Sequence, residues 1–462
     1  MKFTLADIAF ITHGQWNGAG FVEVNRIVTD SREIEKGDLF VAIKGENFDG
    51  HDFAQVALDR GAIAVVVDHQ TTEHDIVVDD TLLAYGAIAA AYRETLNARV
   101  IAITGSSGKT STKDLLAATL QQFGNTLAPL GSFNNEIGLP ATVLSATSDT
   151  EYLVLEMGMR GAGHIDYLCT IAKPNVAALI NVGSAHMELL GSREGIAAAK
   201  GEIFERLPVN GAAVLYGDDP LVMQQRQRTT AQALTFGENA DSHVRVSDIS
   251  LDEKACATFI AHYGKDSQRV TLQISGEHQV LNAAAVIAMC LGVGLDFGSV
   301  CAAVSKAKPA SKWRMEVVEL PGGVTLINDS YNANPESMRA GLKALKAIAG
   351  ERRSWAVLGE MRELGETAVT AHDEIGRLCV RLDISHLIAV GPGAKLIHMG
   401  AAHEGSWGDE SAYVETLDEA IAMLTSQVKS GDVVFVKASR AIGLDRVAQA
   451  LTEHAHQENT PL

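Results

Sequence analysis

The sequence predicts an α/β fold that is built from mostly parallel sheets and divided among three domains. Two observations support this prediction. The chain has 462 residues, more than one hydrophobic core usually organises. Short runs of β-branched and apolar residues alternate with longer segments of helical periodicity. Strands that alternate with helices are typical of parallel sheets with helices packed on both faces.

Composition narrows the class of protein. A hydrophobic content of 47% with only 10 prolines is typical of a globular chain. The formal net charge of −19 argues against binding to a nucleic-acid polymer or to a membrane surface. The five cysteines show no Cys-x-x-Cys spacing, and the first residues lack the features of a signal peptide. We therefore expect reduced thiols and a location in the cytoplasm. Separately, we expect the chain to act as a monomer.

Residues 1–97 are predicted to form a small α/β domain. Strands are predicted at residues 27–29, 39–43 and 62–68. Two polar clusters lie between them, one at Asp30-Ser31-Arg32 and one at residues 44–51. Taken alone, clusters of this kind are more often solvated turns than binding sites.

A strand, a glycine-rich loop and a helix follow one another at residues 99–123. Residues 99–104 are apolar and β-branched, as expected for a buried parallel strand, and the helix is predicted at residues 112–123. The loop between them reads Gly-Ser-Ser-Gly-Lys-Thr-Ser. Backbone N–H groups of such a loop converge on phosphate, while Lys109 can reach the outer phosphates and Thr110 can ligate Mg²⁺. Ile103 stands where the strict motif has glycine, so this phosphate loop is a shortened variant.

The alternation continues through the rest of a predicted central domain, residues 98–312. Strands are predicted at residues 152–156, 175–180 and 212–215, and helices at residues 196–204 and 280–291. Residues 244–275 show short alternating strands instead, which predicts an antiparallel appendage. Residues 306–311 are predicted to be a linker.

Residues 313–462 are predicted to form a third domain with its own core. It begins with a predicted hairpin and continues with strand–helix pairs, the strands lying at residues 315–320, 324–327, 355–358, 387–390 and 433–437. The predicted fold is therefore a central P-loop ATPase-type domain with a mostly parallel sheet, flanked by the small N-terminal α/β domain and a C-terminal Rossmann-like doubly wound domain. Ligands of such sheets bind beyond the carboxyl ends of the strands.

Three polar residues of the central domain are candidates for chemistry. Glu156 ends a buried strand and can hold Mg²⁺ together with Thr110, unless it only caps the next turn. His186 follows another buried strand, where a histidine is either a ligand or a plain loop residue. Lys200 lies on a helix among small residues, and composition alone favours a place on the helix surface.

A fourth candidate segment, residues 329–335, leaves the predicted hairpin and begins a helix at Pro335, a residue suited to the first helical position. Its polar side chains would face a crevice shared with the central domain, unless the segment is a simple capping turn.

Taken together, these motifs resemble the Mur ligase family, whose members are ATP-dependent ligases of peptidoglycan synthesis. The resemblance covers all three predicted domains in order. It rests on residues 104–110, on Glu156-Met157-Gly158, on Ala185-His186-Met187-Glu188 with residues 199–203, and on residues 329–335. Gly276-Glu277-His278, residues 282–285 and Trp313-Arg314-Met315-Glu316 add to it.

The resemblance implies that ATP and Mg²⁺ bind at the matching positions. The ATP phosphates would lie against Gly105, Ser106, Ser107, Gly108, Lys109, Thr110 and Ser111. Asn282 would face the adenine, Arg314 the γ-phosphate and Asp329 the ribose. One Mg²⁺ would be held by Thr110 and Glu156, and a second by His186 and a carbamylated Lys200. A lysine with a depressed pKa is a free amine that can capture CO₂ and become an anionic oxygen ligand. The catalytic set implied in this way is Lys109, His186, Lys200 and Arg314.

The resemblance also implies where the other substrates bind. The UDP-sugar end would contact Ser31, Arg32, Asn47, Asp49 and His51. Further substrate contacts would come from Asn134, Asn135, Tyr331, Asn332 and Asn334. Two positions depart from the family pattern: Gln279 where relatives often have Asn, and Ala438 where glycine is common.

Within the family, residues 132–140 and 358–365 resemble the member that joins D-alanyl-D-alanine to UDP-N-acetylmuramoyl-tripeptide through an acyl phosphate. The nearest alternative is the sibling that adds the third amino acid, diaminopimelate or lysine, because its N-terminal clusters look similar. That sibling usually carries an Asp-Asn-Pro-Arg motif, which this chain lacks. An alternative from another class is a P-loop switch or motor ATPase that acts on a protein partner.

Overall fold

The fold is described by a computed structural model over residues 3–45, 48–183, 187–308, 312–405 and 410–458, without the side chains of residues 457 and 458. Asn47 and His186, both predicted to bind ligands, lie outside the described residues.

The first part of the chain forms a parallel sheet in the order β1-β2-β3-β4. Its elements are α1 (Leu5–Thr12), β1 (Ile27–Val28), β2 (Leu39–Val41), α2 (Ala54–Asp59), β3 (Ala64–Val67), β4 (Asp75–Val77) and α3 (Thr81–Glu94). Strand β3 is buried along its whole length, as its run of Ala and Val predicts.

The central part contains a larger mixed sheet. Its strands are β5 (Arg99–Thr104), β6 (Thr126–Leu127), β7 (Tyr152–Glu156), β8 (Val176–Leu179), β9 (Ala212–Tyr216), β10 (Gln232–Gly237), β11 (Val244–Leu251), β12 (Cys256–Tyr263) and β13 (Asp266–Ser275). Its helices are α4 (Lys109–Leu120), α5 (Gly138–Leu144), α6 (His164–Ala172), α7 (Met187–Leu190), α8 (Arg193–Gly201), α9 (Pro220–Gln224), α10 (Gln279–Gly292) and α11 (Phe297–Lys306). The strand order is β13-β12-β11-β10-β9-β8-β5-β7-β6.

Strands β11 to β13 occupy the segment predicted to be an antiparallel appendage. They pair antiparallel to one another, as predicted. They are not separate from the main sheet, however, because β11 pairs in parallel with β10 at Phe236 and Val244. The segment therefore widens the central sheet.

Strand β5 lies between β8 and β7 and is covered on both faces. Ile101 and Ile103 pack into one hydrophobic cluster with α4 and α10, while Val100 and Ala102 pack into another with α5 and α6. Helix α4 begins at Lys109, three residues earlier than predicted. Its N-terminal turn is therefore part of the phosphate loop itself.

The last part forms a third sheet in the order β14-β15-β19-β16-β17-β18. Its elements are β14 (Glu316–Glu319), β15 (Thr325–Asn328), α12 (Pro335–Ala349), β16 (Ser354–Gly359), α13 (Ala368–Arg381), β17 (His386–Val390), α14 (Lys395–Glu404), β18 (Ser411–Val414), α15 (Leu417–Gln427), β19 (Val433–Lys437) and α16 (Asp445–Glu458). The predicted hairpin is β14 paired antiparallel with β15, and the other pairings are parallel. Hydrophobic clusters lie on both faces, so the predicted doubly wound class is confirmed.

Helix α3 joins the first sheet to the central part. It packs on α5 and α6, and Tyr92 donates a hydrogen bond of 2.7 Å to the carbonyl of Ala146. The domain boundaries at residues 97/98 and 312/313 stay predictions.

The structure agrees with the expectation of reduced thiols. All five cysteines, Cys169, Cys256, Cys290, Cys301 and Cys379, are free thiols. Within the described ranges, every helix is too short or too polar to cross a bilayer.

Candidate active site

A cleft of about 540 Å³ lies between the carboxyl edge of the central sheet and the C-terminal part of the chain. Residues 106–111 of the phosphate loop line it from the central side, together with Glu156 and Asn282. Arg314 and Asp329 line it from the C-terminal side. Candidate residues that are distant in the sequence therefore meet at one place.

The phosphate loop has the geometry that its sequence predicts. Gly108 has φ +74°, a left-handed conformation that favours glycine, and a Cβ there would lie 2.9 Å from Asn282 Oδ1. Because α4 begins at Lys109, the N–H groups of its first turn have no partners within the helix and can bind an anion. Lys109 Nζ donates to the carbonyl of Gly105 at 2.7 Å. Burial lowers the pKa of Lys109, and the nearby Glu156 opposes this effect.

Asn181, two residues after the end of β8, contacts the phosphate loop, and the sequence did not identify this role. Its Oδ1 accepts hydrogen bonds from the N–H groups of Ser106 and Ser107 at 2.9 and 3.0 Å. Its Nδ2 donates to the carbonyl of Ser107 at 3.0 Å. One side chain therefore holds the first half of the phosphate loop. The only sequence signal was its position after a buried strand.

Thr110 and Glu156 form the candidate metal site. Thr110 Oγ1 donates to Glu156 Oε2 at 2.7 Å, and Asn134 Nδ2 donates to Glu156 Oε1 at 2.7 Å. Glu156 is 1% exposed and lines the cleft. A hydroxyl and a carboxylate are oxygen ligands of the kind that Mg²⁺ prefers, so the residues fit the ion.

Lys200 is buried, with 1% of its surface exposed, so the position on the helix surface that composition favours is wrong. The reason is tertiary, because α8 is packed into the core, with Ile196, Ala197 and Ala199 in the hydrophobic cluster that also contains residues of β5, β7 and β8. Burial lowers the pKa of Lys200 well below its ordinary value, and the charge of Lys109 lowers it further. A lowered pKa favours the neutral amine, which is the form of lysine that can react with CO₂.

Arg314 reaches the central part from the C-terminal side. Its NH2 group donates to Ser132 Oγ at 3.1 Å, and its Cζ lies 4.1 Å from the centre of the Tyr331 ring. Its Nε is buried and has no hydrogen-bond partner within the described part of the chain. The flanking residues Trp313 and Met315 have φ +61° and +51°, strained values for non-glycine residues. A partly buried guanidinium with a spare donor is suited to an anion such as phosphate.

Asp329 is held by neighbours on its own side of the cleft. Its Oδ1 accepts from the N–H of Met315 at 3.1 Å, and its Oδ2 accepts from Lys437 Nζ at 2.5 Å. Lys437 also donates to the carbonyl of Asn332 at 2.7 Å. The sequence analysis assigned no role to Lys437, which lines the cleft as the last residue of β19.

A chain of polar side chains lies at the start of α10. Asn282 Nδ2 donates to Gln279 Oε1 at 2.8 Å, and the Gln279 amide lies 3.2 Å from His278 Nε2. Burial lowers the pKa of His278 to about 4. Gln279, one of the two departures from the family pattern, therefore orients Asn282, the residue predicted to face adenine.

The predicted substrate residues near the cleft have different surroundings. Asn334 Nδ2 donates to the carbonyl of Ser106 at 3.3 Å, so this hydrogen bond joins the C-terminal part to the phosphate loop of the central part. Asn135 Oδ1 accepts from the N–H of Gly138 at 2.8 Å and so helps to begin α5. Tyr331 packs on Arg314, and Asn332 Oδ1 accepts from the N–H of Ala333 at 2.8 Å.

The described N-terminal candidates do not line this cleft. Arg32 pairs with Asp30 at 2.6 Å. Asp49 Oδ1 lies 2.6 Å from His51 Nδ1, and His51 Nε2 accepts from the N–H of Asp68 at 3.2 Å. Ser31 precedes Arg32 in a short 3₁₀ turn capped by Asp30. These residues lie in the N-terminal part of the chain, apart from the cleft.

Three family models match the chain in succession. They are the Mur ligase family catalytic domain at residues 23–118, the Mur ligase middle domain at residues 103–290 and the Mur ligase glutamate ligase domain at residues 313–440.

Relatives match almost the whole length. The UDP-N-acetylmuramoyl-tripeptide–D-alanyl-D-alanine ligase of Mycobacterium bovis is 44% identical, over 91% of this chain and 91% of its own. A crystal structure of MurF from Acinetobacter baumannii has a TM-score of 0.90 and 33% identity, and covers 98% of this chain and 99% of its own. MurF from Thermotoga maritima, solved in complex with ADP, has a TM-score of 0.84 and 31% identity, and covers 94% of this chain and 99% of its own.

Proposed function

This chain belongs to the Mur ligase family, and from that premise we propose that it uses ATP to join D-alanyl-D-alanine to UDP-N-acetylmuramoyl-tripeptide. One observation carries the proposal. The phosphate loop and the Thr110–Glu156 pair meet Arg314 in a single cleft, so groups able to hold ATP phosphates come from two parts of the chain. Relatives of nearly the same length carry the name of this activity.

The reaction forms a C–N bond in two steps. The terminal carboxylate of the tripeptide attacks the γ-phosphorus of ATP, the bond to the bridging oxygen breaks, and ADP leaves. The amine of D-alanyl-D-alanine then attacks the carbonyl carbon of the acyl phosphate, loses a proton and expels phosphate. Positioning and charge neutralisation do most of the work in phosphoryl transfer.

Lys109 and Arg314 supply positive charge to the transferred phosphoryl group. Thr110 and Glu156 would hold one Mg²⁺, which neutralises phosphate charge when it is bound. His186 and a carbamate on Lys200 would hold the second ion, and the burial of Lys200 beside Lys109, which lowers its pKa, supports this assignment.

The remaining candidate residues are assigned to the adenine and to the other substrates. Asn282 would face the adenine. Ser31, Arg32, Asn47, Asp49 and His51 would bind the UDP-sugar end, while Asn134, Asn135, Tyr331, Asn332 and Asn334 would contact the peptide or the incoming amine. We place the reaction in the cytoplasm, in keeping with five free thiols.

The proposal is tested by measuring ADP release from ATP with each substrate omitted in turn. We expect release only when UDP-N-acetylmuramoyl-tripeptide is present, and a pentapeptide product only when D-alanyl-D-alanine is added. Release without any UDP-sugar peptide would favour a switch or motor ATPase. Ligation of diaminopimelate or lysine to a UDP-linked dipeptide would instead identify the sibling ligase.

A second measurement tests the acyl phosphate. Heavy oxygen placed in the terminal carboxylate of the tripeptide should appear in the released phosphate. Label that stays wholly in the peptide would contradict the mechanism.

A further inference from the structure

A loop at residues 129–135, which we call the bridging loop, lies between the phosphate loop and the C-terminal part of the chain. The side chain of Lys113, on α4, anchors the beginning of this loop. Lys113 is fully buried, and its Nζ donates to the carbonyls of Pro129 and Gly131 at 2.6 and 2.9 Å. Its charge is paired with Asp114 at 2.8 Å.

The far end of the bridging loop is fixed independently. Asn134 donates from Nδ2 to Glu156 at 2.7 Å, and its carbonyl accepts from the N–H of Gly158 at 2.8 Å. The Lys113 ammonium therefore holds one end of the bridging loop, and contacts of Asn134 hold the other. The hydroxyl of Ser132, between these anchors, is not needed to keep the loop in place.

Ser132 Oγ takes part in a hydrogen-bonded chain whose direction follows from chemistry. Arg314 NH2 lies 3.1 Å from Ser132 Oγ, which lies 3.0 Å from Thr110 Oγ1. Thr110 Oγ1 in turn lies 2.7 Å from Glu156 Oε2. A guanidinium can only donate and a carboxylate can only accept. The Ser132 hydroxyl therefore accepts from Arg314 and gives its own proton to Thr110, and the Thr110 proton points at Glu156.

We propose that Ser132 is a positioning residue that links Arg314 of the C-terminal part to the metal ligands Thr110 and Glu156 of the central part. With one lone pair of Thr110 Oγ1 engaged by Ser132 and the proton directed at Glu156, the remaining lone pair is left for Mg²⁺. The approach of Arg314 and the orientation of the metal ligand are thereby coupled. This inference rests on the proposed function for its choice of nucleotide and ion.

The test compares Ser132→Ala and Ser132→Thr with Ser148→Ala, a control at an exposed serine of the same part of the chain. Calorimetry measures ADP binding over a range of Mg²⁺ concentrations, so the readout does not depend on turnover. We expect Ser132→Ala to raise the half-saturating Mg²⁺ concentration by about threefold to tenfold, the effect of one lost hydrogen bond. Ser132→Thr keeps the hydroxyl and should stay within about twofold of the wild type.

Thermal unfolding of the metal-free protein shows whether Ser132→Ala keeps its fold, and its midpoint should match that of the wild type. An unchanged Mg²⁺ dependence in Ser132→Ala, as in Ser148→Ala, would overturn the proposal. So would an equal loss in Ser132→Thr.

The coupling is measured with Arg314→Gln and the double variant. In the Arg314→Gln background we expect Ser132→Ala to change the half-saturating Mg²⁺ concentration by less than about twofold, because the two side chains act through one hydrogen bond. If the fold-changes of the two single variants in the half-saturating Mg²⁺ concentration multiplied in the double variant, Ser132 would act without Arg314, and the link would be refuted. ADP binding needs no peptide substrate, so failure of ligation in the wild type would refute the proposed function while leaving this result intact.

Discussion

Lys437 Nζ lies 2.5 Å from Asp329 Oδ2, and the two residues come from the adjacent ends of strands β19 and β15. The ammonium is 3% exposed and the carboxylate 13%. Since the other oxygen of Asp329 accepts from the N–H of Met315, this ion pair also fixes the backbone next to Arg314. It therefore connects the stability of the C-terminal part with the geometry of the cleft.

Removing one member of this pair should be costly. Lys437→Met leaves a buried carboxylate without its partner, so we expect a loss of about 3–5 kcal/mol in the free energy of unfolding. The double variant with Asp329→Asn should recover part of that loss. Urea unfolding measures the loss in both variants. The matched control is Lys346→Met, which breaks an exposed ion pair with Asp383. It should lower the free energy of unfolding by less than about 1 kcal/mol. A loss in Lys437→Met no larger than in the control would contradict the prediction.

Lys109→Met should abolish ligation, because its charge is most effective on the transferred phosphoryl group in the transition state. We expect kcat to fall by far more than about tenfold, which corresponds to about 1.4 kcal/mol. Steady-state ADP release measures the change. Lys173→Met, at an exposed lysine paired with Glu94, is the control and should keep full activity. A smaller loss would mean that Lys109 does not contact phosphate.

Lys200→Ala should lose most activity, and a small carboxylic acid or high bicarbonate should restore part of it by filling the vacated space. Lys200→Arg should not recover, because a guanidinium keeps its charge and cannot be carbamylated. Rates measured with and without CO₂, together with intact mass, test the carbamate. Normal activity in Lys200→Arg, or a wild-type rate that is unchanged without CO₂, would disprove it.

Two substitutions at Asn181 should separate its effect on the stability of the phosphate loop from its effect on ADP binding. Asn181→Ala removes the acceptor for two N–H groups, so we expect a loss of about 1–3 kcal/mol in stability and weaker ADP binding. Asn181→Asp keeps the acceptor but adds negative charge near the phosphates. It should therefore weaken ADP binding more than Asn181→Ala while costing less stability. The opposite order in calorimetry and urea unfolding would show that Asn181 does not organise the loop.

His278 should make the protein less stable in mild acid. Burial lowers its pKa to about 4 in the folded state, with the charge of Asp329 raising and that of Lys437 lowering it. The unfolded chain takes up the proton near the ordinary pKa of about 6.5, so stability is lost as the pH falls from that value towards 4. The contribution is up to about 3 kcal/mol. Urea unfolding at several pH values should show a weaker pH dependence in His278→Gln, and an identical dependence would refute the assignment.

The sequence predicted well those features that depend on neighbouring residues. The apolar run at residues 99–104 predicted β5, and the glycines and Lys109 predicted the phosphate loop. Glu156 was placed correctly at the carboxyl end of β7 because strand ends follow from local pattern. The motifs along the chain also predicted the family, which the comparisons confirm.

Tertiary structure decided the rest, because the relevant partners are far apart in the chain. Composition favoured a surface position for Lys200, and only the packing of α8 buries it. Asn181 meets Ser106 and Ser107 from 74 or 75 residues away, and Arg314 meets Ser132 from 182 residues away. Residue pattern determines which segments become strands and loops, while only the packing of the sheets determines which loops meet and therefore which side chains share a hydrogen bond.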